Sequence, residues 1–386
     1  MKVLLTATVQ SHICQFHKPL MRMLRSRGYE IHVAARNNLA EKNGLKMEYA
    51  DKVFDVPFER SPFDKGNIKA YKVLRQIIGE NDYDIIHCNT PVGGILTRLI
   101  AAKYKKKRSI EVIYTAHGFH FYKGGPKLSW IVYYPIEKVF GKLFTDKLIT
   151  ISDADYQLAK EKHFCKKLYR IHSVGINSQK YNPSGLNKLF ERMQHGIPED
   201  AFVCICTGEL NENKRQSLVI QAARIVVDKI PNFQLLLAGN GPKNNDLQSL
   251  IDKLKLEDYV HLIGYKSDLE HYVACADVAV SASLREGLGI NLIEAMACGI
   301  PVIGSTNRGH SEFIVNNENG YLVEEESIVE NIAEKIIELN CSELRTRLGN
   351  RAIKDAAIYL DINVEKELEE IYFGKEDLTI RKSSNK

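Results

Sequence analysis

The chain sets short apolar, β-rich runs at regular intervals with amphipathic stretches between them, and it does so twice. In the first half the runs are KVLLTAT, YEIHVAA, DIIHCNT, EVIYTAH, KLITIS and LYRIHS. After a polar segment over 177–200 the pattern restarts with FVCICTG, FQLLLAG, VHLIGY, DVAVSAS and PVIGS. These runs are continuously apolar rather than alternating, as strands buried on both faces must be, which implies parallel sheets covered by helices. The stretches between them, such as KRQSLVIQAARIVVDKI, have a helical period. The expectation is an α/β chain of two doubly wound, Rossmann-like units over 1–180 and 181–345. Residues 346–372 read as a C-terminal helix able to pack back toward the first unit, and 373–386 as a structureless tail. With 386 residues, 44% of them hydrophobic, the chain is long enough for two full cores.

In sheets of this kind ligands bind beyond the carboxyl ends of the strands, where loops meet helix N-termini. Two units facing across a cleft would offer a site for two substrates. Charge is uneven: the net +5 divides into +14 over residues 1–170 and −9 over the rest. This asymmetry points the first half toward an anionic partner, a membrane surface or a phosphorylated substrate, with nucleic acid as the competing reading. The basic run KYKKKR, Lys103 to Arg108, fits such a partner and fits equally a solvated loop between a helix and a strand. The eight cysteines form no CxxC pair, so they read as reduced thiols rather than a disulfide framework or zinc site. No apolar run is long enough to span a membrane, and the start MKVLLTATVQSH lacks the pattern of a signal peptide. A cytosolic chain is expected.

The stretch LREGLGINLIEAMACGIPVIGS, Leu284 to Ser305, carries Glu286 and Glu294 in an otherwise apolar run. It follows the strand DVAVSAS, so Glu286 falls in a loop beside Gly287 and Gly289. A helix INLIEAMAC then holds Glu294 one turn in, with Gly299 placed to end it and Pro301 to open the next strand. The backbone N–H groups of Leu288, Gly289 and Ile290 can hold an anion, because a helix N-terminus carries about +0.5 charge. A carboxylate farther along the helix can accept two hydrogen bonds from vicinal hydroxyls such as a ribose diol, which suits Glu294. Glu286 can receive sugar hydroxyls. Both glutamates also fit structural duties, capping the helix or pairing with Arg285 or Arg308.

Glu-x7-Glu followed by AMACGIPVI, with TGELNENK and LAGNGP upstream, resembles the retaining glycosyltransferases of family 4 over nearly the whole chain. VQSHICQFHKPLMRMLRSRGYEIHVAAR is similar to that family's opening strand, loop and helix, and YTAHGFHFY to its acceptor-side histidine loop. The region HGFHFYKGGP…WIVYYPIEK further resembles bacterial enzymes that build exopolysaccharide and capsule repeat units. The resemblance implies the GT-B fold, two Rossmann-like domains facing across a cleft. It implies transfer of a sugar from a uridine diphosphate donor to a saccharide carried on a polyprenyl pyrophosphate lipid, with anomeric configuration retained. The enzyme would sit in the cytoplasm, peripherally on the inner face of the cell membrane.

Carried over residue by residue, the resemblance implies that Glu294 binds the nucleotide ribose and Glu286 the transferred sugar. The amides of Leu288, Gly289 and Ile290, with Gly287 beside them, would hold the diphosphate. Lys214, helped by Arg215, would neutralise the leaving diphosphate, and Gly208, Gly241 and Tyr265 fall on the donor side. A fixed cation has a chemical reason there, since breaking a glycosyl phosphate bond builds negative charge on the leaving group. The plainer reading makes Lys214 and Arg215 exposed residues opening a helix. His117, at the end of the strand EVIYTA, would lie near the reacting sugar, with Val9, His12 and His120 on the acceptor side. Taken alone, His12, His17, His117 and His120 read as satisfied loop or helix residues. Two positions depart from the family pattern. Ala7 and Thr8 stand where a glycine pair usually precedes Val9, and Glu209 stands where an arginine usually follows the glycine of TGEL.

No metal or cofactor is expected. The pairs DYD (82–84) and DAD (153–155) have the Asp-x-Asp form that holds a divalent ion in transferases of the other common architecture. Here one precedes a strand and the other opens a helix, where carboxylates have structural uses. The segment from Phe121 to Lys147 mixes the only tryptophan with tyrosines, phenylalanines and lysines, and is expected to touch an anionic membrane, its aromatics at headgroup depth. It fits packing on the sheet as well. An NAD-dependent oxidoreductase would need Gly-x-Gly-x-x-Gly after a strand. LLTATVQSHIC has no glycine, and AGNGPKN puts Asn244 at the third glycine position. The remaining alternatives are a nucleotide-sugar epimerase on the same fold, and a non-catalytic sugar- or membrane-binding protein.

Overall fold

The computed structural model describes residues 1–42, 45–122 and 124–382. The chain divides into two compact units: Met1–Gly175 together with the segment from Asp361 onward, and Ile176–Leu360.

The first unit begins with β1 (Lys2–Val9), α1 (Gln10–Phe16), α2 (Lys18–Ser26), β2 (Glu30–Arg36) and β3 (Lys52–Asp55). It continues through α3 (Asn67–Glu80), β4 (Ile85–Asn89), α4 (Pro91–Lys105), β5 (Glu111–Ala116) and α5 (Lys127–Phe144), and ends with β6 (Lys147–Thr150), α6 (Asp153–Glu161) and β7 (Lys167–Arg170). Its seven strands are all parallel, in the order β3-β2-β1-β4-β5-β6-β7. The middle of β1 and all of β4 are buried without a break. That follows from helices covering both faces, and it removes any place for polar chemistry except the strand ends.

The second unit opens with α7 (Lys188–Gln194), β8 (Phe202–Thr207), α8 (Gln216–Val227), β9 (Phe233–Ala238), α9 (Asn244–Leu254) and β10 (Val260–Gly264). After α10 (Leu269–Ala274) come β11 (Val278–Ser281), α11 (Ile290–Ala297), β12 (Val302–Ser305), β13 (Gly320–Val323), α12 (Ile328–Glu338) and α13 (Ser342–Ala356). Its six parallel strands run β10-β9-β8-β11-β12-β13. Each sheet therefore has one point where the chain reverses its direction of travel, between β1 and β4 in the first and between β8 and β11 in the second. The loops leaving those neighbouring strands diverge and open a crevice at their carboxyl ends.

Two strands escape the apolar-run pattern. β3 is an edge strand that is mostly exposed, and β13 is only four residues long. The unit boundaries also differ from expectation. The second unit extends past 345 because α13 packs on α11, Ala352 and Ala356 joining Leu292 and Met296 in one core. The final helix, α14 (Asp361–Lys382), belongs to the first unit and is interrupted at Gly374, where φ is +78°. The tail expected to be structureless from 373 is thus helical as far as Lys382, and residues 383–386 lie outside the described residues.

α14 is fastened by charge and by packing. Arg22 pairs with Asp361 at 3.0 Å and Glu365 at 2.6 Å, Arg27 with Glu369 at 2.9 Å, and His172 with Glu367 at 2.6 Å. The hydroxyl of buried Tyr372 hydrogen-bonds His87 Nδ1.

The first core contains a buried ion pair. Arg98 on α4 is fully buried, its Nη2 donating to Glu137 Oε2 at 3.1 Å and its Nε to the Gly94 carbonyl, with its guanidinium 3.9 Å over the Tyr114 ring. Tyr114 donates its hydroxyl to Glu137 Oε1 at 2.9 Å. Losing Glu137 strands a buried guanidinium and a buried hydroxyl together. Glu137→Ala should destabilise the protein by roughly 3–5 kcal/mol, the range for breaking one side of a buried pair. Glu137→Gln should cost less. Thermal unfolding of the two variants checks this, and equal melting temperatures would overturn it.

Candidate active site

In the second unit the loops at the reversal point bring Gly208, Lys214 and Glu286 together. Lys214 follows β8 and Glu286 follows β11, and Lys214 Nζ meets Glu286 Oε1 at 2.6 Å. Burial pushes the Glu286 carboxyl up. The Lys214 ammonium outweighs that, with the Ser283 side chain and His310 adding to it, and holds the pKa below the usual carboxylate value. Glu286 is therefore ionised and paired with Lys214, not with Arg285. Arg308 Nε donates to the Glu286 carbonyl at 3.4 Å. Arg215 does not point to the same spot. It is the N-cap of α8, with a left-handed φ of +50°, and its guanidinium grips Glu325 through Nη1 at 2.8 Å and Nη2 at 2.6 Å. Glu325 is the partner this structure gives its guanidinium.

α11 starts where expected. Gly289 is its N-cap at φ +93°, a conformation that L side chains rarely adopt. A Cβ there would also strike the His310 ring at 2.8 Å. Leu288 buries its side chain, so it offers the site only its main chain. The first amides of a helix have no intrahelical acceptor, so this end attracts an anion. Gly208 has a Cβ direction 3.2 Å from the Lys214 stem, and Gly241 one 2.2 Å from the Leu210 carbonyl. Close packing of the β8 and β9 loops explains both glycines. Tyr265 is 40% exposed beyond β10. Glu209, in the position of the missing arginine, is exposed and accepts from Asn211 Nδ2 at 3.2 Å.

Glu294 lies on α11 with Tyr181 hydrogen-bonded to it and the Lys180–Glu270 pair nearby. It retains some exposed surface, yet protein packs its carboxyl closely. Desolvation raises its pKa to about 7, against the opposing hydrogen bond from Tyr181. Tyr181 is the hydrogen-bond partner the fold supplies to this carboxyl.

In the first unit the reversal point is lined by the ends of β1 and β4, with β5 alongside. Val9 ends β1, and Thr8 is tied to Thr90, N–H to Oγ1 at 3.0 Å and hydroxyl to hydroxyl at 2.8 Å. Gly93 of α4 sits against the main chain of Ala7 and Thr8, the residues that stand in place of the glycine pair. His117 follows β5, and its Nε2 is 3.2 Å from Asn89 Oδ1. His12 and His17 crowd it, with ring centroids 4.4 and 5.3 Å away. Burial lowers the His12 pKa to about 4 and drives those of His17 and His117 well down, so all three rings are neutral at pH 7. Hydrogen bonding, rather than proton donation from an imidazolium, is what His117 can offer. His120 is exposed and stacks on Tyr133 at 4.7 Å.

Other sequence features prove structural. The buried Asp155 carboxylate accepts from the Phe119 N–H, and Asp84 from the Lys2 N–H at 2.6 Å, so both Asp-x-Asp pairs have duties in the fold. Arg108 of the basic run donates to the carbonyls of Ile78, Gly79 and Asn81, which ties the α4–β5 turn to α3. Trp130 turns inward among Phe121 and Tyr134, its Nε1 donating to the Tyr122 carbonyl. The eight cysteines are all free. Sequence reasoning missed Tyr181 and, beside Arg308, the loop residues Asn307, Gly309 and His310. A side chain at 309 would meet the Glu286 Cβ at 2.7 Å, and the RGH run was the one visible sign of so close an approach.

Residues 187–355 match the family described as glycosyl transferases group 1, and residues 2–152 the family described as glycosyl transferase 4-like. Over 386 residues the chain is 38% identical to EpsD of Bacillus subtilis (strain 168), which carries the name of a glycosyltransferase, and the match covers 99% of each chain. The chain belongs to the family 4 glycosyltransferases. This glycosyltransferase is also 27% identical over 321 residues to the UDP-Gal:alpha-D-GlcNAc-diphosphoundecaprenol alpha-1,3-galactosyltransferase of Escherichia coli, covering 78% of this chain and 80% of that one. Its fold matches the crystal structure of Anabaena Alr3699/HepE in complex with UDP and glucose, with a TM-score of 0.76 at 20% identity over 96% and 99% of the two chains. The fold of the glycosyltransferase is GT-B.

Because Glu294 has a higher pKa folded than its ordinary 4.5, its stabilising contribution is complete below that value and is lost as pH rises through about 7. Glu294→Gln should therefore gain on the wild type between pH 4.5 and 8, by on the order of 3 kcal/mol across the window. Melting temperatures of both proteins without ligand at pH 5 and pH 8 test it. A gap that does not widen toward pH 8 rules out the buried neutral carboxyl.

Proposed function

We propose that this glycosyltransferase moves a sugar from a uridine diphosphate donor to a lipid-linked saccharide in surface polysaccharide biosynthesis, with anomeric configuration retained. The observation that carries the reading is the Lys214–Glu286 pair at the start of α11, with Glu294 on the same helix. The uridine donor is supported by the UDP held in the Anabaena Alr3699/HepE complex, and the lipid-linked acceptor by the diphosphoundecaprenol in the name of the Escherichia coli relative.

As the bond between the sugar C1 and the phosphate oxygen breaks, negative charge gathers on the departing diphosphate. Lys214 Nζ and the amides of Gly289 and Ile290 stabilise it, and they are fixed before the reaction begins. Glu286 orients Lys214 and accepts hydroxyls of the transferred sugar. The ribose diol donates to Glu294. Neutral His117 hydrogen-bonds the sugar or the incoming acceptor.

Incubating the purified protein with a panel of nucleotide sugars, with and without a lipid extract of bacterial membranes, tests the reaction. UDP should be released only when donor and lipid are both present. Release without lipid favours an epimerase or hydrolase, and no release with any donor overturns the proposal. Lys214→Ala should lower kcat by about 10²–10³, as loss of one transition-state charge partner does. Glu294→Ala should weaken UDP binding in calorimetry, whereas His117→Ala should leave UDP binding unchanged.

Among the described residues no helix is long and apolar enough to cross a membrane. Contact with lipid falls instead to α5. Its Leu128, Ile131, Val139 and Leu143 are 70, 71, 47 and 69% exposed at helical spacing, beside exposed Lys127 and Lys142. The contact face is aliphatic rather than aromatic, since Trp130 is folded inward. Vesicles containing anionic lipid should sediment the protein, and Leu128→Glu with Ile131→Glu should abolish this while UDP binding persists. Equal sedimentation of the double variant would eliminate α5 as the contact.

A further inference from the structure

We propose that the cavity beside His117 selects an acceptor whose terminal sugar carries an N-acetyl group, with Tyr133 and His120 as the residues that set the preference. The inference rests on the acceptor reading given under the proposed function and names the chemistry of that acceptor. The cavity has a volume of about 180 Å³ and lies wholly in the first unit. Thr90 and Pro91 bound it after β4, Gly118 to Phe121 after β5, and Tyr133 and Glu137 from α5. Pockets that enclose a whole drug-sized ligand run to roughly 300–1,000 Å³, so this one takes part of a molecule rather than a length of saccharide.

Its walls are largely aromatic. Phe119 and Phe121 are buried and stack at 5.1 Å, Tyr114 is buried beside them, and exposed His120 stacks on Tyr133 at 4.7 Å. A hydroxyl pressed against such rings gives up its hydrogen bonds to water without replacement, whereas a methyl group gains by leaving water. A plain hexose, with oxygen on every carbon, is therefore a poor occupant.

The cavity also has one acidic wall. Glu137 accepts from Tyr114 on Oε1 and from Arg98 on Oε2. One bond per oxygen leaves a carboxylate with lone pairs to spare, so an occupant that brings a donor is favoured over a purely apolar one. An acetamido group answers both demands, its methyl packing on the rings and its N–H facing the carboxylate. A deoxy sugar supplies the methyl without the donor, and a hydroxyl supplies the donor without the methyl. His117 also lines the cavity, so a sugar ring seated at the mouth would hold its hydroxyls beside the group assigned to the reacting centre.

The test measures sugar binding without any nucleotide donor, so it stands or falls separately from UDP release. Ligand-observed NMR on the full-length protein compares the methyl α-glycosides of N-acetylglucosamine and N-acetylgalactosamine with those of glucose and galactose. At least one N-acetyl sugar should bind about 10–200-fold tighter than its hydroxyl counterpart, the range for one apolar group in a matching pocket. Saturation should pass most strongly to its acetyl methyl protons. Tyr133→Ala and His120→Ala should each bring that ratio toward one, and Tyr133→Phe, which keeps the ring, should retain it. Melting curves show that each variant is folded. Failure of both N-acetyl sugars to bind, equal binding of their hydroxyl counterparts, or an undiminished preference in the two folded alanine variants overturns the proposal.

Discussion

Parallel strands covered on both faces leave a chain almost nowhere to do chemistry. Val3, Leu4 and Leu5 of β1, like Val203, Cys204 and Ile205 of β8, have essentially no contact with water. Sites open to a ligand are thereby confined to the carboxyl ends of the strands, and within those edges to the points where strand order reverses. The loops after β8 and β11 diverge at one such point and frame Lys214 and Glu286. The loops after β1 and β4 diverge at the other, with His117 close by on β5. Lys214, Glu286 and His117 all owe their positions to where the two sheets reverse.

The Lys214–Glu286 cluster of the second unit is held together by the protein's own contacts. Lys214 is held by Glu286, which is crowded by the backbone at Gly309, and His310 packs against Gly289 at the mouth of α11. Preorganisation of this kind is what electrostatic catalysis requires, because charges already in place need not reorganise as the bond breaks. Glu294 is the opposite case: desolvation leaves its carboxyl disfavoured in the charged form.

Much of this was legible in the sequence because it depends on local pattern. Apolar runs mark buried strands, and a glycine-bearing loop before INLIEAMA marks the helix start with its two glutamates. What escaped depends on partners distant in sequence. Nothing near Arg98 reveals that it is buried, since its counter-charge is Glu137, a helix away. Tyr181 lies in a polar segment and meets Glu294 only through the fold. The aromatics of α5 looked suited to a lipid surface, but Trp130, Tyr133 and Tyr134 pack, partly buried, against the cluster that holds Phe121 and Phe164, and an aliphatic face is left outside. β3 was invisible because a solvent-washed edge strand needs no apolar run. The histidines read singly as ordinary loop residues, and their crowding is a property of three separate segments brought to one strand edge.

The last helix carries a consequence for how the molecule comes into being. Tyr372 reaches His87 on β4, and Arg22 and Arg27 of the opening segment find their carboxylates at Asp361, Glu365 and Glu369. The first unit is thus made from two segments with the whole second unit between them. During synthesis the second unit has all its residues before the first one does. The earlier half must wait, with the flank of α2 and the side of β4 uncovered, until α14 has been made and closes it.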